Sequence, residues 1–180
     1  MKTFFITTLI LFSSISLAQK GQYLSPSDFQ ARYFDVDAQS QTLWINKTLR
    51  TDVEAILNHR FTALRMRYWG KENRTGWILE EIGKELPITV GVVIDGDEIF
   101  DVSILEYRES RGGEIRYPFF TRQFQQAGLS DKGRYGLDKT IDGITGATLS
   151  VRALKKIATL ALFLHRQTPF YLQTEKDQGS

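Results

Sequence analysis

An α+β domain, with an antiparallel or mixed sheet and a long C-terminal helix packed on it, is the fold this sequence predicts. The β-branched run Ile88-Thr89-Val90-Gly91-Val92-Val93-Ile94 meets Asp95-Gly96, a strong hairpin signal, and a second alternating run returns from Ile99 to Tyr107. From about Leu149 to His165 the pattern changes to a helical period, with Val151, Leu154, Ile157, Ala158, Ala161, Leu162 and Phe163 forming a broad apolar surface. A composition of 42% hydrophobic and 24% charged residues over 180 positions is enough for one domain with a real core.

The elements follow in order. Lys2, an apolar run from Phe4 to Leu17 and the small-residue site Ser16-Leu17-Ala18 have the layout of a secretory signal peptide. Cleavage is expected after Ala18, and the expected location is the periplasm. Ser25-Pro26-Ser27-Asp28 marks a turn or helix start, and Thr51-Asp52-Val53-Glu54 is expected to cap a short helix ending near Asn58. Val53, Ile56 and Leu57 would share its buried face. Phe61 to Tyr68 has strand character, with Leu64, Met66 and Tyr68 on one side, and Thr75 to Ile82 is a second strand. Residues 75–107 therefore read as an antiparallel meander, with Phe100, Val102 and Ile104 on one face. Residues 108–147 carry recurrent glycines, Gly133 among them, and scattered arginines that include Arg134. A polar stretch of that length reads as functional loop. Tyr117 to Phe124 interrupts it with an aromatic cluster expected to pack on the sheet. Arg152, Lys155 and Lys156 lie opposite the apolar surface of the last helix, and Thr168-Pro169 ends it. The expected organisation is a signal peptide (1–18), an N-terminal segment (19–70), the main domain (71–166) and a polar tail (167–180).

Composition excludes several classes of function. Lys plus Arg number 23 and Asp plus Glu 21, a net charge of +2 with no basic stripe, so no nucleic-acid partner is expected. The absence of cysteine removes disulfides, thiolate catalysis and Cys-based metal sites. His59 and His165 each end a predicted helix and have no metal-ligand spacing, so no metal site is assigned. Trp44, Trp69 and Trp77 read as core, as do Tyr117, Phe119 and Phe120, whose other reading is stacking on a ligand ring. The Asn46-Lys47-Thr48 and Asn73-Arg74-Thr75 sequons are read as chance matches.

The chemistry concentrates in Asp142-Gly143-Ile144-Thr145-Gly146-Ala147-Thr148-Leu149-Ser150, directly before the last helix. A glycine-containing turn feeding a helix N-terminus presents free N–H groups and a partial positive charge, which suits a phosphate. On the residues alone, the blander reading is preferred, in which Thr148 or Ser150 simply caps the helix.

The segment Asp142 to Thr148 is similar to the flavinylation motif of the FMN-binding domain family, which includes flavin-carrying subunits of sodium-pumping quinone reductase and of the Rnf complex. The family pattern is Asp, often Gly, any residue, Ser or Thr, Gly, Ala, Thr, and every position matches. The resemblance implies FMN bound covalently, through a phosphoester, to Thr148. It implies installation from FAD by a flavin transferase with magnesium, and a flavin loop preceding the last helix. Tyr107 to Glu114 looks like the family's second signature, a Glu-Thr pair before a Pro-Gly turn that lines the flavin pocket. Here Glu109-Ser110 is the close match and Arg111-Gly112 replaces Pro-Gly. The resemblance covers residues 75–166, and no functional residue is carried onto 19–70.

The expected cofactor-binding set is thus Thr148, Asp142, Gly143, Thr145, Gly146, Ala147, Glu109, Ser110 and Arg111, with no catalytic residue assigned. Asp142 either positions the motif for the transferase or makes an Asx turn. Arg111 either serves the flavin or pairs with a surface carboxylate, and for Arg108 the ion pair is preferred. The expected function is an electron-transfer module serving an unknown membrane or periplasmic redox partner. The alternatives are a reductase of a small periplasmic substrate and a flavin-free binding or assembly domain.

Overall fold

The computed structural model describes residues 21–35, 38–131 and 135–171. The expected signal peptide, the polar tail after 171, Gly133 and Arg134 lie outside them. The elements run α1 (Pro26–Tyr33), β1 (Gln41–Trp44), α2 (Lys47–Leu57), β2 (Arg65–Lys71), β3 (Arg74–Ile82), β4 (Pro87–Asp95), β5 (Glu98–Tyr107), a short helix α3 (Pro118–Thr121) between two 3-10 turns, and α4 (Thr148–His165). The five strands form one antiparallel sheet in the order β1-β2-β3-β4-β5, so the α+β class and the meander stand as predicted.

Helix α4 lies on one face of the sheet, against β3 and β4, with α2 beside it. Val151, Leu154, Ile157, Ala161 and Leu162 pack there on Trp77, Val90, Val92 and Ile104. The other face takes α1, whose Phe29 buries fully among Val93 and Leu105. That approach needs Gly91, because a Cβ there would stand 2.4 Å from the Phe29 ring. Ser25 caps α1 by accepting the Asp28 N–H at 3.0 Å, and Pro26 fills the first turn, as the sequence suggested.

Several expectations are corrected. Helix α2 begins at Lys47, not near Thr51, because Asn46 is the cap and its Oδ1 accepts the Leu49 N–H at 2.9 Å. Glu54 does not close a capping box, since its Oε1 accepts the Phe61 N–H. Strand β2 starts at Arg65, leaving Leu64 exposed. Phe100 does not share a face with Val102 and Ile104. The register shifts between Val93 and Ile94, which pair with Asp101 and Ile99, so Phe100 is the extra residue of a bulge. Its ring turns outward under the Arg74 guanidinium, 4.2 Å from the centroid. Trp44, expected in the core, is instead 65% exposed: Leu43 packs against the core from edge strand β1, and the alternate side chain faces solvent. Trp77 is fully buried, stacked 4.7 Å from Tyr68.

The Asp95-Gly96 signal marks the β4–β5 hairpin, with Asp95 paired to Glu98 and Gly96-Asp97 as the connecting pair. Gly96 has φ +58, the conformation expected at the first loop position of a type II′ turn. In the aromatic cluster, Phe120 and Phe124 are buried as predicted. Tyr117 and Phe119 are exposed, which corrects the core reading for those two.

Both histidines sit at helix ends. His59 follows α2 and bonds the buried Glu81 carboxylate at 2.8 Å, which also accepts from Lys156 at 2.8 Å. His165 ends α4 and is wholly buried, a depth that a helix-end or surface reading did not anticipate.

Candidate functional site

Two loops meet at the start of α4. The turn from Ile144 to Ala147 closes with the Ala147 N–H on the Ile144 carbonyl at 2.9 Å, and Gly146 within it has φ +83. Buried Ile141 and Ala147 anchor this segment, while Asp142, Gly143, Thr145, Gly146 and Thr148 are exposed. Thr148 is the first residue of α4. Ala147 occupies the cap position, so no side chain caps the helix, and no acidic residue lies in the first turn. This overturns the capping reading of Thr148 and Ser150. Ser150 is buried with its Oγ 3.0 Å from the Tyr107 hydroxyl. The helix therefore begins with free N–H groups and an exposed Thr148 hydroxyl that makes no hydrogen bond among the described residues.

The second loop is fastened beside it. The Tyr107 hydroxyl donates to the Arg111 carbonyl, and so accepts from Ser150. Burial, the chief cause, raises the Tyr107 pKa. Gly112 has φ +81 and lies so close to α4 that a Cβ would stand 2.8 Å from the Ala147 Cβ. Glu109 points the other way. Its Oε1 accepts the N–H groups of Lys84, Glu85 and Leu86 at 2.6, 2.7 and 3.0 Å, organising the β3–β4 turn. Slight burial pushes its pKa up, but those N–H groups outweigh it and hold the carboxylate below its ordinary value. The Glu109→Ala variant should lose about 1–2 kcal/mol, read as a lower urea midpoint, because the turn loses its shared acceptor.

Ser110 and Arg111 are exposed, and the Arg111 guanidinium has no hydrogen-bond or ion-pair partner among the described residues. The surface-pair reading of Arg111 therefore has no support here. Arg108 does pair, with Glu106 at 2.5 Å and Glu80 at 3.5 Å, as preferred from sequence. The Asp142 carboxylate makes no Asx turn; the residue's N–H donates to Gln123 at 2.7 Å.

Two depressions flank Gly146. One, about 580 Å³, is lined by Thr148, Leu149, Lys84 and Glu85. The other, about 590 Å³, is lined by Thr145, Tyr117, Arg116 and Tyr23. Glu109, Ser110, Arg111 and Gly146 line both, so the two adjoin. The structure brings the predicted Glu109–Arg111 segment onto the motif, and adds Tyr23, which sequence reasoning missed.

The fold and this site define an α+β domain with an exposed, uncapped helix N-terminus, a feature whose free N–H groups and dipole favour an anionic group. Residues 83–162 match the model of the FMN-binding domain family, and that match supports a flavin-binding role. The matched span runs from the β3–β4 turn through the motif into α4 and excludes α1 to β3. The chain matches no curated protein and no solved structure at a significant level.

Proposed function

We propose that this chain is an exported flavoprotein that carries FMN as a phosphoester on Thr148 and works as an electron-transfer module. The observation that carries the reading is the Thr148 hydroxyl, exposed and unbonded at the uncapped first turn of an 18-residue helix. The site fits a phosphate-linked group on three counts. Free N–H groups and the helix dipole favour negative charge by about 0.3–1 kcal/mol. Gly146 presents only backbone, and a Cβ there would meet nothing within 4 Å, so a bulky group has room to approach. Arg111 brings a cation with no partner among the described residues.

Each residue then has a defined task. Thr148 is an attachment point and does not turn over. Tyr107 and Ser150 fix the Arg111 loop against the helix. Exposed Asp142 is available to the flavin transferase that installs FMN from FAD. When bound, flavin supplies one- or two-electron chemistry, and the protein's part is to place it. The redox partner is a membrane or periplasmic protein, reached after the signal peptide is removed at Ala18.

Intact mass of periplasmic protein, from cells expressing a competent transferase, tests this. The wild type should gain one FMN minus water and lack residues 1–18, whereas Thr148→Ala should lack the FMN increment. An unmodified wild type overturns the proposal. Turnover with small acceptors then separates a carrier from a reductase.

A further inference from the structure

The matched family segment begins at residue 83, yet one wall of the depression beyond Gly146 comes from residue 23. Residues 21–24 run beside β5, joined to it by an isolated antiparallel bridge. Tyr107 donates its N–H to the Gly21 carbonyl at 2.9 Å, Tyr23 donates to Leu105 at 2.8 Å, and Gln22 bridges Glu106. These backbone bonds fix Tyr23 while leaving its side chain in the depression, with the residue 48% exposed. The Arg116 guanidinium lies 4.9 Å from the Tyr23 ring centroid and 4.4 Å from that of Tyr117. Arg116 is itself held by the Gly113 carbonyl at 3.2 Å and the Tyr117 hydroxyl at 2.6 Å.

We infer that Tyr23 is a contact of the flavin ring, so that the N-terminal segment completes a site whose attachment point lies in the matched segment. The inference rests on the reading that Thr148 bears FMN. The depression that Thr148 lines has charged and small residues, Leu149 and no aromatic side chain. Its neighbour, reached across Gly146, has the rings of Tyr23, Tyr107 and Tyr117 beside the charged Glu114 and Arg116. A phosphate suits the first and a flat apolar-faced ring the second. The ribityl chain between them needs a crossing without side chains, which Gly146 offers.

Flavin emission tests this without turnover. An excited flavin takes an electron from a tyrosine ring in contact and returns it without emitting light, whereas leucine offers no such electron. Intact mass first establishes FMN on each protein, and thermal melts establish that each is folded. Wild type should then be dim, with a short emission lifetime. Tyr23→Leu and Tyr23→Phe should lengthen that lifetime several-fold, and Tyr23→Trp should keep it short. Trp44→Leu, altering a side chain on edge strand β1, should match wild type. Lifetimes of Tyr23→Leu that overlay wild type overturn the inference. A wild type with no FMN by mass overturns instead the Thr148 reading, and this inference with it.

Discussion

Gly112→Val should destabilise the protein by about 2–4 kcal/mol, on the order of 10 °C in Tm, and reduce the flavin it carries. Two costs combine. At φ +81, a β-branched residue is strained in the left-handed region. Its Cβ would stand 2.8 Å from the Ala147 Cβ and 2.9 Å from the Tyr107 hydroxyl oxygen. The first clash pushes on the residue at the cap position of α4. The second disturbs the hydroxyl that ties the Arg111 carbonyl to Ser150. Stability and FMN loading should therefore fall together, because one contact serves both. Gly136→Ala, outside the motif, is the matched control: its φ is not positive, and an added Cβ meets nothing within 4 Å. It should stay within about 0.5 kcal/mol of wild type. Thermal melts and intact mass on both variants check this, and equal behaviour of the two would refute the packing argument.

The parts of this molecule legible in sequence are those that local chemistry fixes. Asp95-Gly96 announces its hairpin because the turn needs an unusual backbone at one residue. Helix α4 is legible because its apolar stripe repeats over 18 residues. The motif from Asp142 to Thr148 is contiguous, so its residues reach the site together. What stayed hidden depends on partners far along the chain. Asn46 and Thr51 are comparable candidate caps by residue type, and tertiary packing extends α2 back to Lys47. The bulge at Phe100 is invisible to a period-two reading, since an extra residue shifts every later parity. Tyr23 reaches the site only because residues 21–24 pair with β5, a contact that spans more than 80 residues and carries no motif.

His165 makes the wild-type protein lose stability as pH falls from about 6.5 towards 4. The residue is 1% exposed. Burial, chiefly, pushes its pKa down to about 4 despite the nearby Asp97 and Asp95 carboxylates. The hydrogen bonds agree with a neutral ring. Trp77 donates to the Thr75 hydroxyl at 2.8 Å, leaving the Thr75 proton for His165 Nδ1 at 2.7 Å. The ring proton then sits on Nε2, which makes no well-formed hydrogen bond among the described residues. A base whose folded pKa lies below its unfolded one binds more protons when unfolded. Its contribution is therefore complete above pH 6.5 and falls away through the interval down to about 4, by roughly 3 kcal/mol in total. His59 acts oppositely. Its hydrogen bond to Glu81 raises its pKa, so its contribution is present below its unfolded value and fades as pH rises through the folded one. That site is about half exposed and screened, so the buried histidine dominates. Replacing His165 by Phe removes the titration and leaves the Thr75 hydroxyl proton without its acceptor. At pH 7.5 the variant should be less stable than wild type by about 1–3 kcal/mol. By pH 4.5 that difference should shrink or reverse. Urea unfolding across this range checks it, and a pH-independent gap between the two proteins would show that His165 does not titrate as a buried neutral base.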